Sequence, residues 1–262
     1  MLEMTEAVHE LTRSHILRLA AAGKRGDGRG LEDQRPVSIQ KGFVETAEGS
    51  ARAKLGNTDI LVGVKMEIGQ PYPDSPDRGV LITNVELTPV ASPDFESGPP
   101  RPAAIELARV VDRGIRETET VDMEKLCIES GEKVWLLFID IHVLDYHGNL
   151  FDASNYAALA ALTNTLVPIS SKLGDGKDIP LGVLHYPVSV TVSKIGDILF
   201  VDPSLEEDRI ADARLTVTTD EDGHVRAMQK GLEGSFTLDE VIRIISLSQK
   251  TGKKVRKTIL EA

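Results

Sequence analysis

The stretch from Val134 to Leu166, VWLLFIDIHVLDYHGNLFDASNYAALAALTNTL, carries two signals that decide the fold class. Its first part, Val134–Leu144, is a run of apolar and β-branched residues with the length of a buried strand. Its last part, Ser154–Leu166, is rich in alanine and leucine and predicts a helix. A strand followed directly by a helix indicates a sheet with helices stacked on one face.

The chain before this stretch predicts a helix, a sheet and a second helix. Apolar residues recur at helical spacing over about 6–22, and Gly23 then stops the helix. Proline- and glycine-rich connections lead to another helix that begins near Ala103. Between the two helices lie five segments rich in β-forming residues: Val37–Lys41, Phe43–Thr46, Ala51–Leu55, Asp59–Ile68 and Val80–Leu87.

The chain after this stretch predicts two β-hairpins. One joins Val188–Ser193 to Ile198–Val201, and the other joins Leu215–Thr219 to His224–Gln229. Both turns contain a glycine next to an aspartate, a pair that favours tight hairpin turns.

The last segment predicts a helix, and the chain as a whole predicts one α+β domain. Thr237 and Glu240 form a capping-box pattern at the start of a helix over Leu238–Lys250. No flexible linker or low-complexity tract interrupts the sequence. We therefore predict a single domain over 1–262, with an N-terminal helix at about 6–22, a core at about 35–210, and a C-terminal hairpin and helix at about 211–262.

Composition excludes several classes of function. The chain of 262 residues has a formal net charge of −11, so any contact with nucleic acid needs a local cluster of cations or the field of a partner chain. The single cysteine, Cys127, cannot form an intramolecular disulfide. The first residues lack the pattern of a secretory signal, and the longest apolar run is too short to span a membrane. We expect a cytoplasmic protein without membrane association.

Two features could carry chemistry, and each also has a structural interpretation. The run Gly26–Gly30 lacks the third glycine of a dinucleotide-binding loop, because Leu31 follows, so a turn between helix and sheet is favoured. His142 lies in an apolar strand and is predicted to be a core residue rather than a ligand.

An acidic cluster lies between the two predicted hairpins. It consists of Asp202, Glu206, Glu207, Asp208 and Asp212. Carboxylates of this kind could hold a divalent cation or supply a general acid. In a chain with a surplus of acidic residues, solvated loop charges are the more common explanation.

One predicted helix carries three arginines on one face. Arg109, Arg113 and Arg116 stand at positions i, i+4 and i+7. Acidic residues lie close by, so spacing alone favours an ion-paired surface helix over a phosphate-binding stripe. The basic run Lys250–Lys257 is predicted to be a solvated helix end that complements the helix dipole.

Four stretches, taken in order, resemble the RNase PH family of phosphorolytic RNA exonucleases. They span nearly the whole chain: Asp27–Arg29 with Arg35–Pro36, Ile105–Arg109, Val143–Ala153, and Val201–Asp208. Two runs, Ala104–Arg113 and Val143–Asn149, look like the non-catalytic branch of this family, which occurs in the archaeal exosome.

The resemblance implies an α+β fold, the RNase PH-like fold of two β-α-β-α halves (ribosomal protein S5 domain 2-like). It also implies a hexameric ring, a trimer of heterodimers, in which this chain alternates with a catalytic RNase PH-like paralogue. RNA-binding cap proteins and single-stranded RNA threaded through the centre of the ring are the further implied partners. No metal and no cofactor is implied for this subunit.

The departures from the family pattern concern the catalytic groups. Active members carry a Gly-Thr-Arg-like signature that binds inorganic phosphate, and Asn149-Leu150-Phe151 stands in its place. Leucine and phenylalanine cannot donate charge-assisted hydrogen bonds to an anion. The catalytic aspartate of active members aligns with Arg214, which cannot act as a general acid at neutral pH, although Asp212 lies two residues away. The resemblance therefore implies no catalytic residues here.

The same resemblance gives the arginine face a role. In the non-catalytic branch this helix helps to hold RNA near the partner's active site, so Arg109, Arg113 and Arg116 are predicted to bind RNA phosphates. The predicted function is a non-catalytic, RNA-binding and structural subunit that shapes the active site of its paralogue. The alternative is an active phosphorolytic or metal-dependent 3'-5' exoribonuclease that uses the acidic cluster.

Overall fold

Two β-sheets with helices between them make up the body of the chain. The computed structural model describes residues 2–174 and 176–262, with side chains described from residue 9 onward. The strands are β1 Val37–Lys41, β2 Gly49–Leu55, β3 Thr58–Gly69, β4 Val80–Leu87, β5 Cys127–Glu129, β6 Lys133–Asp145, β7 Leu166–Val167, β8 Ile179–Pro180, β9 Val188–Ile195, β10 Ile198–Val201, β11 Ala213–Thr219 and β12 Val225–Gly231. The α-helices are α1 Leu2–Ala21, α2 Pro102–Glu117, α3 Leu150–Thr163, α4 Ile169–Lys172, α5 Leu205–Ile210 and α6 Leu238–Glu261.

The two larger sheets correspond to the two halves of the chain. The first has the order β1-β2-β3-β6-β4, with β5 paired to β6, and the second has the order β10-β9-β11-β12. Strands β4 and β6 are parallel, since α2 makes the crossover between them, while their neighbours pair antiparallel. The remaining pair, β7 with β8, forms a small separate ribbon.

Helix α3 lies between the two sheets and is almost entirely buried. Its alanines, such as Ala157 and Ala161, are fully inaccessible and allow the first sheet to approach closely. Its other side meets polar groups of β9: the Tyr156 hydroxyl donates to the carbonyl of Ser189 at 3.0 Å, and Asn155 Oδ1 accepts from the Ser189 amide at 2.9 Å. The two halves are therefore joined by hydrogen bonds as well as by apolar packing.

Helix α6 covers the opposite face of the second sheet. Ile244 and Leu247 pack on Val190, Val192 and Val217 in a separate apolar cluster. The layers therefore run from the first sheet through α2 and α3 to the second sheet and then to α6.

The predicted fold class is confirmed, because each half consists of a sheet with its helices in the expected order. The Gly26–Gly30 run forms the predicted turn after α1. The Thr237–Glu240 capping box is present. The organisation as a single domain stays a prediction, which the packing of α3 against both sheets supports.

Some predicted boundaries are wrong for identifiable reasons. Segment Phe43–Thr46 is not a strand, because the Val44 amide and carbonyl bond to the Ser50 hydroxyl instead of to a neighbouring strand. Helix α3 begins at Leu150 rather than Ser154, since the side chain of Asn149 caps it. Helix α6 continues beyond Lys250 because its buried face continues beyond that residue.

The predicted core position of His142 is also wrong. Its side chain is 40% exposed on the outer face of the first sheet, with Nδ1 3.3 Å from Glu86 Oε2. Side chains of β6 alternate between the two faces of the sheet, and Ile141 and Val143 are the residues that point inward.

The turn between β6 and α3 depends on one glycine. Gly148 has φ +92°, and a Cβ at this position would lie 2.5 Å from the carbonyl carbon of Ser204 and 2.6 Å from the amide nitrogen of Leu205. Backbone atoms cannot move aside as a flexible side chain can. The glycine thereby allows the start of α3 to contact the start of α5.

We expect Gly148→Ala to lower the free energy of unfolding by about 3 kcal/mol or more, because it adds a clash to an unfavourable backbone conformation. The matched control is Gly131→Ala, since Gly131 has φ +80° and open space around its Cβ position. The control should cost about 1 kcal/mol from the backbone alone. Urea denaturation of both variants measures the difference, and equal losses would show that the contact with α5 is unimportant.

Candidate nucleic-acid interface

Helix α2 has one buried and one exposed face. Leu107, Val111 and Ile115 are buried at 1% exposure each. Gly114 lies close to the second sheet, where an added Cβ would be 3.3 Å from Thr218 Oγ1. This packing directs the predicted arginine face away from the core, toward an open groove of ≈ 720 Å³ between α2 and β12.

Arg109 and Arg113 are exposed and have no carboxylate partner among the side chains that the structure describes. Arg109 forms no hydrogen bond or ion pair with any residue whose side chain is described. Arg113 Nη1 donates to Oε1 of Gln229 on β12 at 3.3 Å, and that acceptor is uncharged. Both guanidinium groups therefore keep free donors toward the groove, as contacts with phosphate oxygens require.

Arg116 lies on the same face but is already paired. Its Nε and Nη2 each lie 3.0 Å from a carboxylate oxygen of Asp112, and Nη2 also donates to the Leu81 carbonyl at 3.1 Å. The hydrogen bond with Asp112 raises the pKa of Arg116 above its usual value. Binding a phosphate at Arg116 requires competition with Asp112, so Arg109 and Arg113 are the stronger candidates.

Beside the arginine face, the side chains of Phe151 and Arg214 pack against each other. The Arg214 guanidinium carbon lies 4.1 Å from the ring centroid of Phe151, and Arg214 Nη2 donates to Glu106 Oε1 at 2.6 Å. Phe151 is 8% exposed. The ion pair engages Nη2, the Phe151 ring covers one face of the guanidinium, and the side chain is only 11% exposed, so Arg214 is held within the protein.

The carboxyl group of Asp208 lies near Arg214. The Tyr146 hydroxyl donates to its Oδ2 at 3.0 Å, and Phe95 stacks on the Tyr146 ring with centroids 5.3 Å apart. Burial raises the pKa of Asp208, while the nearby Arg214 opposes the shift. Asp208 is thus half-buried beside Tyr146.

The five carboxylates of the acidic cluster do not form one site. Four of them have separate partners: Asp202 with Arg29 and Arg35, Glu207 with Arg25, Asp208 with Tyr146, and Asp212 with Arg13. Among the residues that the structure describes, no group of three or more His, Cys, Asp or Glu side chains could hold a metal ion. The cluster is therefore a set of structural ion pairs and hydrogen bonds.

Two family descriptions together match most of the chain. "3' exoribonuclease family, domain 1" matches residues 33–168, and "3' exoribonuclease family, domain 2" matches residues 185–251. The chain belongs to the 3' exoribonuclease (RNase PH) family. The family resemblance predicted from the sequence is thereby confirmed.

Curated relatives in this family match over nearly their whole length. The exosome complex component Rrp42 of Thermoplasma acidophilum is 53% identical over 254 residues, covering 97% of each chain. The protein of the same name from Thermococcus kodakarensis is 51% identical over 264 residues, covering 98% of this chain and 97% of its own.

Two solved structures share the fold. A chain of the Archaeoglobus fulgidus exosome with RNA bound to the active site superimposes with a TM-score of 0.92 at 50% identity, covering 96% of this chain and 98% of that one. A chain of an archaeal exosome core gives a TM-score of 0.90 at 46% identity, covering 99% of both. The predicted RNase PH-like fold is therefore confirmed.

Two residues that depart from the sequence pattern predicted for active family members lie in contact with each other. Phe151 stands in the stretch predicted to replace a phosphate-binding signature, and Arg214 at the position predicted to replace a catalytic aspartate. They are distant in sequence, yet their side chains stack on each other. The roles of the three arginines and the lack of catalytic residues remain predictions.

Sequence reasoning missed two partners of the interface. Glu106 holds Arg214, and Gln229 contacts Arg113. Glu106 stands three residues before Arg109 on the same helix face, which could have indicated it. No local signal indicates Gln229, because only the packing of β12 against α2 brings it there.

A buried carboxyl group, Asp152, lies at the start of α3. It is fully inaccessible and accepts hydrogen bonds from the Asn149 side chain at 2.8 Å, from the Thr191 amide at 2.9 Å and from the Thr191 hydroxyl at 2.7 Å. The same Asn149 amide group also donates to Asp202. Burial raises the pKa of Asp152 to about 7, although its hydrogen bonds favour the charged form.

We expect the wild type to lose stability relative to Asp152→Asn as pH rises from about 4 to about 7. A carboxyl group whose pKa is raised by folding stabilises the protein most below its unfolded pKa of about 3.9, and this contribution disappears as pH passes the folded value. Urea unfolding of both proteins across this range measures the effect.

The control is Asp178→Asn, because Asp178 is exposed and hydrogen bonds from Ser170 lower its pKa. Its difference from wild type should stay flat between about pH 5 and about pH 8. A flat difference for Asp152→Asn as well would contradict a buried proton at that position.

Proposed function

We propose that the chain is a non-catalytic, RNA-binding and structural subunit of an archaeal exosome, a ring that degrades RNA from 3' to 5'. It alternates in a hexamer, a trimer of heterodimers, with a catalytic RNase PH-like paralogue, and RNA-binding cap proteins complete the assembly in the cytoplasm. The observation that carries the proposal is the unpaired pair Arg109 and Arg113 beside a site closed by Phe151 and Arg214.

Similarity to known assemblies supports membership of a complex. The curated relatives are named as components of the exosome complex, and both matching archaeal structures are exosomes. The Archaeoglobus fulgidus exosome has RNA bound to the active site. No helix among residues 2–174 and 176–262 has the length and apolar character needed to cross a membrane.

The closed site supports a role without catalysis. Phosphorolysis requires donors that fix inorganic phosphate and a group that transfers a proton to the leaving oxygen. Phe151 presents a buried ring where donors are needed, and the guanidinium of Arg214 cannot release a proton at neutral pH. Glu106 engages Nη2 of Arg214 and the Phe151 ring covers one face of the guanidinium, which is only 11% exposed and is thus held within the protein.

The arginine face supports a role in holding RNA. Free guanidinium donors on a rigid helix can bind phosphate oxygens in two-pronged geometry, and such contacts do not depend on base sequence. Binding through phosphates is sensitive to salt. The slope of log K against log salt concentration is about −0.7 for each phosphate neutralised on a single strand. Arg116 joins this surface when a phosphate displaces Asp112.

An active exonuclease is the alternative function. A phosphorolytic enzyme would need another phosphate site, and a metal-dependent enzyme would need carboxylates free to converge on an ion. The separate cation partners of Asp202, Glu207 and Asp212 disfavour the second version.

We expect the purified chain, incubated with single-stranded RNA, magnesium and inorganic phosphate, to release no nucleoside diphosphates. The reason is the absence of phosphate ligands at Phe151. Chromatography of the products measures the release, and the complex with its catalytic paralogue serves as the positive control. Robust release that Asp208→Asn abolishes would overturn the non-catalytic role.

We expect Arg109→Glu combined with Arg113→Glu, in the reconstituted complex, to weaken RNA binding and leave assembly intact. Loss of two phosphate contacts should reduce the slope of log K against log salt concentration by about 1.4 in magnitude. Fluorescence anisotropy over a salt series measures the affinity and the slope.

The matched control for the arginine pair is Lys125→Glu combined with Lys133→Glu, which changes the net charge equally. Both lysines are exposed and ion-paired near β5, away from α2's groove. The control should bind RNA nearly as wild type. Equal RNA affinities for the arginine variant and the wild type would refute the proposed RNA contacts of Arg109 and Arg113.

A further inference from the structure

Helix α6 carries a second group of unpaired cations. Between Val241 and Leu260 the helix contains no acidic residue, although the chain has 41 acidic against 30 basic residues. Four exposed lysines on this segment define what we call the lysine face: Lys250, Lys253, Lys254 and Lys257. At 100° per residue their directions fall within an arc of about 100°, so all four project from one side of the helix.

The charges of the lysine face are largely free. Lys257 lies 3.7 Å from Glu261, whereas Lys250, Lys253 and Lys254 have no carboxylate within ion-pair distance among the side chains described. Elsewhere in the chain the surplus of acidic residues neutralises many exposed cations. In a protein with a net charge of −11, neighbouring cations without carboxylate partners create a local positive surface that can bind an external anion.

Lys250 and Lys254 also form one wall of a groove. The opposite wall is the segment from Arg29 to Val37, and the groove has a volume of ≈ 490 Å³. Of its two acidic residues, Glu32 accepts from Arg243 at 2.9 Å, whereas Asp33 Oδ2 accepts from the Gly30 amide at 2.9 Å and keeps its negative charge. Because Arg29 and Arg35 pair with Asp202, Lys250 and Lys254 are the cations of this groove that remain available to an anionic ligand.

We propose that the lysine face and this groove form a second RNA-binding surface, which takes phosphate groups of a single strand. The surface lies on the far side of the second sheet from α2, because α6 and α2 cover opposite faces of that sheet. It rests on the proposed role in holding RNA and extends it to a separate place. RNA is favoured over a protein partner because lysine is depleted at protein interfaces and no exposed aromatic side chain lines the groove.

The test compares RNA affinity of Lys250→Glu combined with Lys254→Glu against wild type in the reconstituted complex. With a long oligoadenylate, the affinity should fall on the order of tenfold at physiological salt. The slope of log K against log salt concentration should fall by about 1.4 in magnitude. Lys125→Glu combined with Lys133→Glu is the control for net charge. Lys250→Arg combined with Lys254→Arg should retain wild-type affinity, because it keeps both positive charges.

The outcomes separate this inference from the proposed function. If Arg109→Glu with Arg113→Glu weakens binding and the lysine variant does not, the second surface is refuted while the role in holding RNA stands. If neither variant weakens binding, the role itself is refuted. If the lysine variant loses assembly with the paralogue while an assembled fraction still binds RNA as wild type, the groove is a protein interface and the inference is overturned.

Discussion

The buried carboxylate of Asp202 joins three separate parts of the chain at one point. It accepts hydrogen bonds from Arg35 Nη2 at 2.6 Å, from Arg29 Nη1 at 3.0 Å and from Asn149 Nδ2 at 2.8 Å, and it is fully inaccessible. Removing a carboxylate from water costs several kcal/mol unless partners replace its hydration. The end of β10 therefore requires both the segment after α1 and the cap of α3 in their places. Through this constraint the two halves acquire one relative position, on which the groove of α2 and the closed site depend.

Charge is distributed in two distinct ways in this acidic protein. Inside, ion pairs such as Arg25 with Glu207 are almost completely shielded from water and hold the fold together. Outside, Arg109 and Arg113 on α2 and three members of the lysine face on α6, Lys250, Lys253 and Lys254, have no carboxylate partner among the side chains described. A negative protein can bind a negative polymer when unpaired cations are concentrated on rigid helices, because the Coulomb interaction is strongest at short range and salt screens the distant charges.

Particular residues illustrate how far the sequence could be read. The strands β1, β4 and β10 have the predicted bounds. The strand predicted at Phe43–Thr46 is absent, because a side chain of β2 satisfies its backbone instead. The sequence favours solvated loop charges for the acidic cluster, yet Asp202 and Glu207 are buried and pair with cations from segments far away in the chain. A pattern along the chain contains no information about which distant partner a polar group will meet.

The sequence by itself determined the class of fold, the family resemblance and the line of arginines on one helix. These follow from periodicity, capping and residue identity, which are local properties. The tertiary structure alone decided that Arg116 is tied to Asp112 while Arg109 and Arg113 are free, and that Phe151 and Arg214 close a site together. It also decided that Asp152 lies buried beside Thr191, where its pKa rises to about 7. The reason is physical: neutralisation and desolvation depend on distances between segments, and only packing of the two halves sets those distances.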